Sequence, residues 1–155
     1  MTEDKKLKKY ILTISIFLFL FSLTQKAYCT TSSCGDSVMV FLLGWAALIA
    51  GFPGIIWMAN PLLFACWWLL KRNLKVSMFL SMCSTLLSLS FLMCDSIADN
   101  EGGVHHQVVS YKAGYWLWVS SSVCMLLGTF YLMLRYNTRN RIKQSDSQNQ
   151  ERYLH

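Results

Sequence analysis

Charged residues are scarce in this chain, and one long stretch has none. Asp, Glu, Lys and Arg make up 14% of the 155 residues, about half their share in an average soluble domain. From Ser37 to Leu70, 34 residues carry no ionisable side chain except Cys66. A stretch of that length without charge is typical of a chain in lipid or in a very apolar interior. The sequence therefore predicts an integral membrane protein rather than a soluble domain.

Catalytic and nucleotide-binding motifs are missing as well. We predict no catalytic residue, no cofactor and no metal site. The closest approach to a metal motif is the polar stretch 95–113, in which His105 and His106 accompany Asp95, Asp99 and Glu101. Adjacent histidines in an extended loop point in opposite directions, which makes them poor joint ligands. The pattern indicates a solvated polar loop.

Four apolar runs are present instead: Tyr10–Leu23, Ser37–Leu70, Val76–Met93 and Tyr115–Leu134. As helices, the third and fourth would be about 27 to 30 Å long, the thickness of the hydrocarbon core. The first has only 14 residues and follows four lysines. That pattern is typical both of a retained span and of a signal peptide cleaved after Cys29. Either way, we predict an all-α transmembrane bundle of three to four spans.

The positions of the basic residues predict the orientation and the division of the chain. With a cytoplasmic N-terminus and four spans, Lys26 and Lys112 lie outside, and the other twelve lie inside: Lys5, Lys6, Lys8, Lys9, Lys71, Arg72, Lys75, Arg135, Arg139, Arg141, Lys143 and Arg152. Such a bias marks the cytoplasmic side. Basic residues that flank apolar runs indicate topology and not nucleic-acid binding. We predict an N-terminal segment 1–29, a bundle 30–134 and a polar, disordered cytoplasmic tail 135–155.

The uncharged run Ser37–Leu70 is too long for one straight span. A helix of this length would measure about 50 Å. Two spans would place Lys71, Arg72 and Lys75 outside, against the charge bias. Gly51-Phe52-Pro53-Gly54 is the natural break, since Pro removes a backbone donor and Gly tolerates the resulting conformations. We predict a re-entrant or interfacial segment 38–50 followed by a span 55–70, with a single kinked helix as the alternative.

Asn60 would then lie near mid-membrane, where an unpaired amide is costly. The third run carries Ser77, Ser81, Ser84 and Ser88 on one helical face. We predict an intramembrane polar contact of Asn60 with Ser84 and Ser88. Helix packing through small and hydroxyl residues explains the serine face better than a solute path does.

Three of the six cysteines, Cys29, Cys34 and Cys94, fall on the outer side, where an oxidising compartment would allow a disulfide. The favoured pair is Cys34 with Cys94, because both lie near the outer surface and both remain if cleavage occurs after Cys29. Cys29 with Cys34 is the competing pair.

Four groups of residues resemble strings in small uncharacterised bacterial inner-membrane proteins: Gly44-Trp45, Trp57–Leu63, 100–103 (NEGG) and Gly114–Trp118. The likeness spans roughly residues 34–130. It implies a bacterial inner membrane and a helical bundle, and no activity comes with it.

The sequence therefore predicts a non-enzymatic membrane protein whose partners are the bilayer and another membrane protein. An immunity protein against a pore-forming toxin would be one example of such an interaction module. Two alternatives stay open. One is a small transporter or channel subunit for a neutral solute, because the spans hold no charge. The other is a quinone-linked thiol oxidase, which would need a cysteine pair in each outer loop. The sequence leaves the oligomeric state open.

Overall fold

The computed structural model describes residues 2–48, 52–94, 96–98 and 105–154. Six α-helices and four short strands follow one another in the order α1 Thr2–Leu23, β1 Lys26–Thr30, β2 Cys34–Asp36, α2 Ser37–Leu43, α3 Phe52–Trp57, α4 Ala59–Leu69, α5 Leu74–Ser90, β3 Ser96–Ala98, β4 His105–Tyr111 and α6 Ala113–Leu154. Two 3₁₀ helices, Gly44–Leu48 and Phe91–Met93, follow α2 and α5. The prediction of a mainly helical fold is confirmed, but the strands show that "all-α" is wrong.

The long helices form a four-helix bundle. Helix α1 packs against α6, α6 against α5, and α5 against α4, and Trp67 of α4 closes the ring by contacting Ser15 of α1. A tight turn joins α4 to α5, and Asn73 begins α5 by accepting a hydrogen bond from the backbone of Val76 at 3.3 Å. Such a cap satisfies a donor that a helix start leaves unpaired. Residues 71–75 therefore form a tight hairpin between α4 and α5.

The strands form one antiparallel sheet in the order β2-β1-β4-β3. It covers the end of the bundle at which α1 and α5 finish and α6 begins. Strand β1 is central and pairs Tyr28 with Tyr111 of β4. Tyr28, Ala27 and Ile97 are buried under the sheet with Phe91. We call this sheet the cap.

The uncharged run folds back on itself. The indole Nε1–H of Trp57 donates to the carbonyl oxygen of Phe41 at 2.9 Å, although 16 residues would separate the two by about 24 Å in a continuous helix. A Cβ on Gly44 would collide with the Trp57 ring. Phe41 also packs edge-on against Phe19 of α1 and Phe64 of α4. The structure therefore has the predicted broken segment, and the single kinked helix is wrong.

Helix α6 is longer than the apolar run predicted. It has 42 residues, about 63 Å, and continues through the polar segment to Leu154. The prediction of a disordered tail is therefore wrong. Among the described residues, two helices are long and apolar enough to cross a membrane on their own, Leu74–Met93 and Ala113–Asp146.

The bundle has an apolar surface and an interior that combines apolar side chains with many hydroxyl groups. Large apolar side chains point outward from three helices, among them Phe17 (66% exposed), Phe79 (61%) and Leu127 (62%). The buried helix contacts join an apolar cluster that includes Leu63 and Met125 to hydroxyl groups such as Ser84 and Ser121, all fully buried. Helices of soluble bundles differ in their outer face, which is polar.

Candidate functional site

A seam of buried hydroxyls runs between the bundle helices. We define the hydroxyl seam as Ser15, Ser77, Ser81, Ser84, Ser121, Ser122 and Thr129, all 0% exposed. Between α1 and α6, Ser121 Oγ donates to the carbonyl oxygen of Ser15 at 2.8 Å. Ser15 Oγ lies 3.0 Å from both the carbonyl and the hydroxyl oxygens of Ser121, and it also accepts the Nε1–H of Trp67 at 2.9 Å.

The rest of the seam joins α5 to its two neighbours. Ser77 Oγ donates to the carbonyl oxygen of Cys66 at 3.1 Å. Ser81 and Thr129 share a hydroxyl–hydroxyl contact of 3.1 Å between α5 and α6. At the next level, Ser84 Oγ donates to the carbonyl oxygen of Ala59 at 2.9 Å and lies 3.3 Å from Ser122 Oγ.

Every hydroxyl of the seam therefore has a partner inside the bundle. A polar path for a solute would need hydroxyl groups that can turn toward the solute. Here they bridge helices at close approach, as small and hydroxyl residues do in packed membrane helices. The predicted serine face thus exists, and its geometry is that of helix packing.

Close approach is also visible where glycines meet neighbouring helices. A Cβ on Gly128 of α6 would collide with the side chain of Ile11 on α1. A Cβ on Gly114, at the start of α6, would meet the carbonyl oxygen of Lys26 and the hydroxyl of Ser37. Gly128 and Ser121 of α6 therefore lie against α1.

Asn60 makes polar contacts, but not the predicted ones. Its Oδ1 accepts the indole Nε1–H of Trp118 at 2.8 Å, and its Nδ2 donates to the carbonyl oxygen of Trp57 at 3.1 Å. Ser84 binds Ala59 and Ser122, while Ser88 Oγ donates to the carbonyl oxygen of Thr85 at 2.9 Å. The Asn60–Ser84–Ser88 contact is corrected to an Asn60–Trp118 contact, because the Trp118 indole of α6 reaches the amide while Ser84 and Ser88 bond to other groups.

The backbone explains why an asparagine stands at position 60. In an α-helix, the N–H of residue 61 would donate to the carbonyl oxygen of residue 57, but Pro61 has no N–H. The side-chain amide of Asn60 supplies that missing donor to Trp57. A buried carbonyl left unpaired would be costly, so Asn60 compensates for Pro61 where α3 gives way to α4.

Asn60 thereby anchors the folded-back segment. One chain of hydrogen bonds runs from Trp118 of α6 to Asn60 of α4, on to the carbonyl of Trp57, and from the Trp57 indole to Phe41 of α2. We call this chain the Asn60 relay. It links α2, which has only seven residues, to the bundle. In an apolar environment no water is available to take the place of these hydrogen bonds.

The structure also corrects the disulfide. Cys29 and Cys34 are bonded to each other, with a Cα–Cα distance of 4.0 Å. They stand opposite one another in the register of β1 and β2, and residues that face each other on antiparallel strands have close side chains. Cys94 ends the 3₁₀ helix after α5 and is buried. The predicted Cys34–Cys94 bond is therefore wrong, and the competing Cys29–Cys34 pair is present.

Comparison with protein-family models, with curated proteins and with solved structures finds no match. The resemblance of the Trp57–Leu63 and Gly114–Trp118 strings therefore stays an expectation.

Three ion pairs among the described residues cluster at the end of the bundle away from the cap. Arg135 of α6 lies 3.4 Å from Asp4 and 3.5 Å from Glu3 in the first turn of α1, and Arg139 also pairs with Asp4. At the cap, Lys26 lies 3.3 Å from Asp36. The first turn of α1 is thus tied to α6, and β1 is tied to β2.

In the described part of the chain, no three His, Cys, Asp or Glu side chains lie close enough together to bind a metal ion. Residues 99–104, which include Asp99 and Glu101 of the polar loop, lie outside the described residues, as does Asp95.

Sequence reasoning missed Ser15, Trp67 and Trp118 as interior polar groups. Trp67 and Trp118 each have a tryptophan neighbour, Trp68 and Trp116. In the structure one member of each pair turns inward to hydrogen bond, while Trp68 and Trp116 remain 61% and 50% exposed. Helix geometry points the two members of a pair in different directions, but which of them faces the interior depends on how the helices pack.

Proposed function

We propose that this chain is a multi-pass protein of a bacterial inner membrane and that it acts by binding another protein rather than by catalysis or transport. The observation that supports the membrane is the apolar surface of the bundle together with the hydroxyl contacts inside it. Exposed apolar side chains surround helices that pack through an apolar cluster and through buried serine and threonine. In water, so much apolar surface would cause association or aggregation. In lipid it is the expected exterior, and hydroxyl contacts are the expected interior.

Four crossings account for the bundle: α1, the α3–α4 segment, α5 and α6. The apolar stretch Gly54–Leu69 is shorter than the two long helices, and as a helix it would measure about 24 Å. The folded-back α2 then enters the outer leaflet and leaves again. Bent backbone at that depth is tolerated where protein covers it, and Phe19, Trp57 and Phe64 cover it on the bundle side.

The charges support cytoplasmic ends for α1 and α6. The end opposite the cap carries Lys5, Lys6, Lys8, Lys9, Lys71, Arg72, Lys75, Arg135, Arg139, Arg141 and Lys143. An excess of Lys and Arg marks the cytoplasmic side of membrane proteins. The cap with its disulfide would then face the oxidising side, where disulfides persist.

The packing of α1 supports a retained first span over a cleaved signal peptide. Cleavage after Cys29 would separate the chain inside the central strand of the cap and would remove one half of the disulfide. It would also expose Ser121 and the Gly128 surface, which α1 now covers. A signal peptide has no need of such contacts with the mature protein.

Protein binding is the activity that this geometry supports best. Among the described residues, the hydroxyl, amide and indole groups of the bundle interior are already paired with partners inside the bundle. The described part of that interior also contains no charged side chain, which an ion transporter usually needs. The cap is a folded surface outside the bilayer, with Val109 of β4 66% exposed on it. An immunity-type module that meets its partner through the cap fits this arrangement. The neutral-solute transporter and the thiol oxidase receive no comparable support.

In vivo photo-crosslinking tests this proposal. A photoreactive residue in place of Val109 should give one discrete protein adduct, whereas the same residue in place of lipid-facing Phe79 should give none. Deletion of the gene for the partner identified by mass spectrometry should abolish the adduct. Equal amounts of adduct from positions 109 and 79 would contradict protein binding through the cap. The absence of an adduct from Val109 and from other exposed positions of the cap would contradict it as well.

A further inference from the structure

Three basic residues lie close together at the hairpin between α4 and α5, and no acidic residue lies near them in the sequence. Lys71, Arg72 and Lys75 fall within five residues, and no Asp or Glu occurs between Asp36 and Asp95. All three side chains are exposed. The acids at this end of the bundle, Glu3 and Asp4, are paired with arginines of α6. Among the described residues, the hairpin cations form no ion pair with a carboxylate.

The arginine of this hairpin is held in a defined place. The guanidinium carbon of Arg72 lies 4.4 Å from the centre of the Trp68 ring, a cation–π geometry. Trp68 is 61% exposed, on the side of α4 that would face lipid. Tryptophan rings of that kind lie at the headgroup level of a bilayer. The stacking therefore places the guanidinium at the level where lipid phosphates lie.

We propose that the α4–α5 hairpin binds the phosphodiester headgroup of an anionic phospholipid. Arg72 would bind the phosphate oxygens, because its planar fork matches them in pairs. Lys71 and Lys75 would add charge on either side, and Trp68 would pack beside the upper acyl chain. This inference rests on the proposed membrane location, and it adds a ligand class and a site to it.

The hairpin differs from the rest of the basic end in one respect. The lysines of α1 lie on the same helix as Glu3 and Asp4, and Arg135 and Arg139 are neutralised by those acids. Within the described part of the chain, only the hairpin combines unneutralised cations with an exposed tryptophan stacked on one of them. A diffuse attraction of all basic residues to the membrane would make these sites interchangeable, whereas a built site would not.

The test compares two charge-matched variants of the full chain by native mass spectrometry in detergent, with phosphatidylglycerol as the probe and phosphatidylcholine as the zwitterionic reference. One variant carries Lys71→Gln, Arg72→Gln and Lys75→Gln. The control carries Lys5→Gln, Lys6→Gln and Lys9→Gln, three exposed lysines of α1. Each basic residue near an anionic surface contributes about fivefold to binding, so the hairpin variant should bind phosphatidylglycerol about 100-fold more weakly. The control should bind within a few-fold of the unchanged protein.

Trp68→Leu separates the site from simple charge attraction, because it leaves all cations in place. It should weaken phosphatidylglycerol binding several-fold and leave phosphatidylcholine binding unchanged. Equal losses in the hairpin and control variants, no preference of the unchanged protein for phosphatidylglycerol, or full competition by millimolar inorganic phosphate would overturn the proposal. Failure to fractionate with membranes in cells would overturn the membrane location instead, so the two failures are distinguishable.

Discussion

Ser15 of α1 and Ser121 of α6 exchange hydrogen bonds across the bundle, side chain to backbone in both directions. The two residues are 106 positions apart in sequence, and their contact requires the two helix backbones to lie very close. In a bilayer such a contact holds α1 to the last helix, where a departing signal peptide would form none.

Replacing Ser15 by Ala removes the hydroxyl that bridges Ser121 and Trp67. Interhelical hydrogen bonds in membranes contribute about 0.6 to 2 kcal/mol, and the indole Nε1–H of Trp67 also loses its acceptor. We expect the free energy of unfolding in detergent to fall by about 1 to 2 kcal/mol. The matched control is Thr13→Ala, on the exposed face of the same helix, which should leave stability within about 0.5 kcal/mol. Equal effects of the two substitutions would contradict the seam.

Gly128→Ala should destabilise the protein because its new Cβ collides with Ile11. Overpacking of this kind costs about 1 to 3 kcal/mol. Ile11→Ala alone opens a cavity and should also destabilise. The combination should be more stable than the sum of the two losses predicts, since the smaller side chain makes room for the new methyl group. Strict additivity in thermal unfolding would show that α1 does not rest on α6 at this point.

Asn60→Leu should lower stability by about 1 to 3 kcal/mol, because it leaves the Trp118 indole and the Trp57 carbonyl without partners. Trp118→Phe removes the donor from the other side. A double-mutant cycle on the two substitutions should give a coupling energy of at least about 0.5 kcal/mol. Unchanged or improved stability of Asn60→Leu in detergent would refute the Asn60 relay.

The disulfide predicts the number of reactive thiols. Denatured, unreduced protein should take up alkylating reagent at Cys66, Cys83, Cys94 and Cys124, and at Cys29 and Cys34 only after reduction. Cys34→Ser should add one alkylated thiol, at Cys29. Cys94→Ser should instead remove one and leave the disulfide intact. If Cys94→Ser instead lost the disulfide, the result would contradict the Cys29–Cys34 bond and support the Cys34–Cys94 pair.

Much of the bundle follows from local sequence, and the cap does not. The long helices α5 and α6, the basic hairpin after Leu70 and the break in the uncharged run were predictable because hydropathy, charge and Pro/Gly placement act over a few residues. The strands have three to seven residues and pair segments about 80 residues apart, such as Tyr28 with Tyr111. The pattern within so short a stretch does not indicate which distant segment it pairs with.

The polar contacts show the same division. Asn60 was recognisable as a buried amide that needs partners. Its actual partner, Trp118, depends on α6 lying beside α4, and helix order is not encoded in any one segment. The observed disulfide was only the competing prediction for a related reason, because Cys29 and Cys34 face each other through a hairpin that the sequence did not reveal.

Labelling of single cysteines with a membrane-impermeant maleimide tests the central claim, a multi-pass bundle that keeps α1 and has both ends inside. The background retains the Cys29–Cys34 disulfide and replaces the other four cysteines with Ser. In intact spheroplasts, Thr31→Cys should be labelled, while Lys5→Cys and Asn137→Cys should be labelled only after permeabilisation. Absence of the Lys5→Cys label from the mature protein under all conditions, or labelling of Asn137→Cys from outside, would contradict this account.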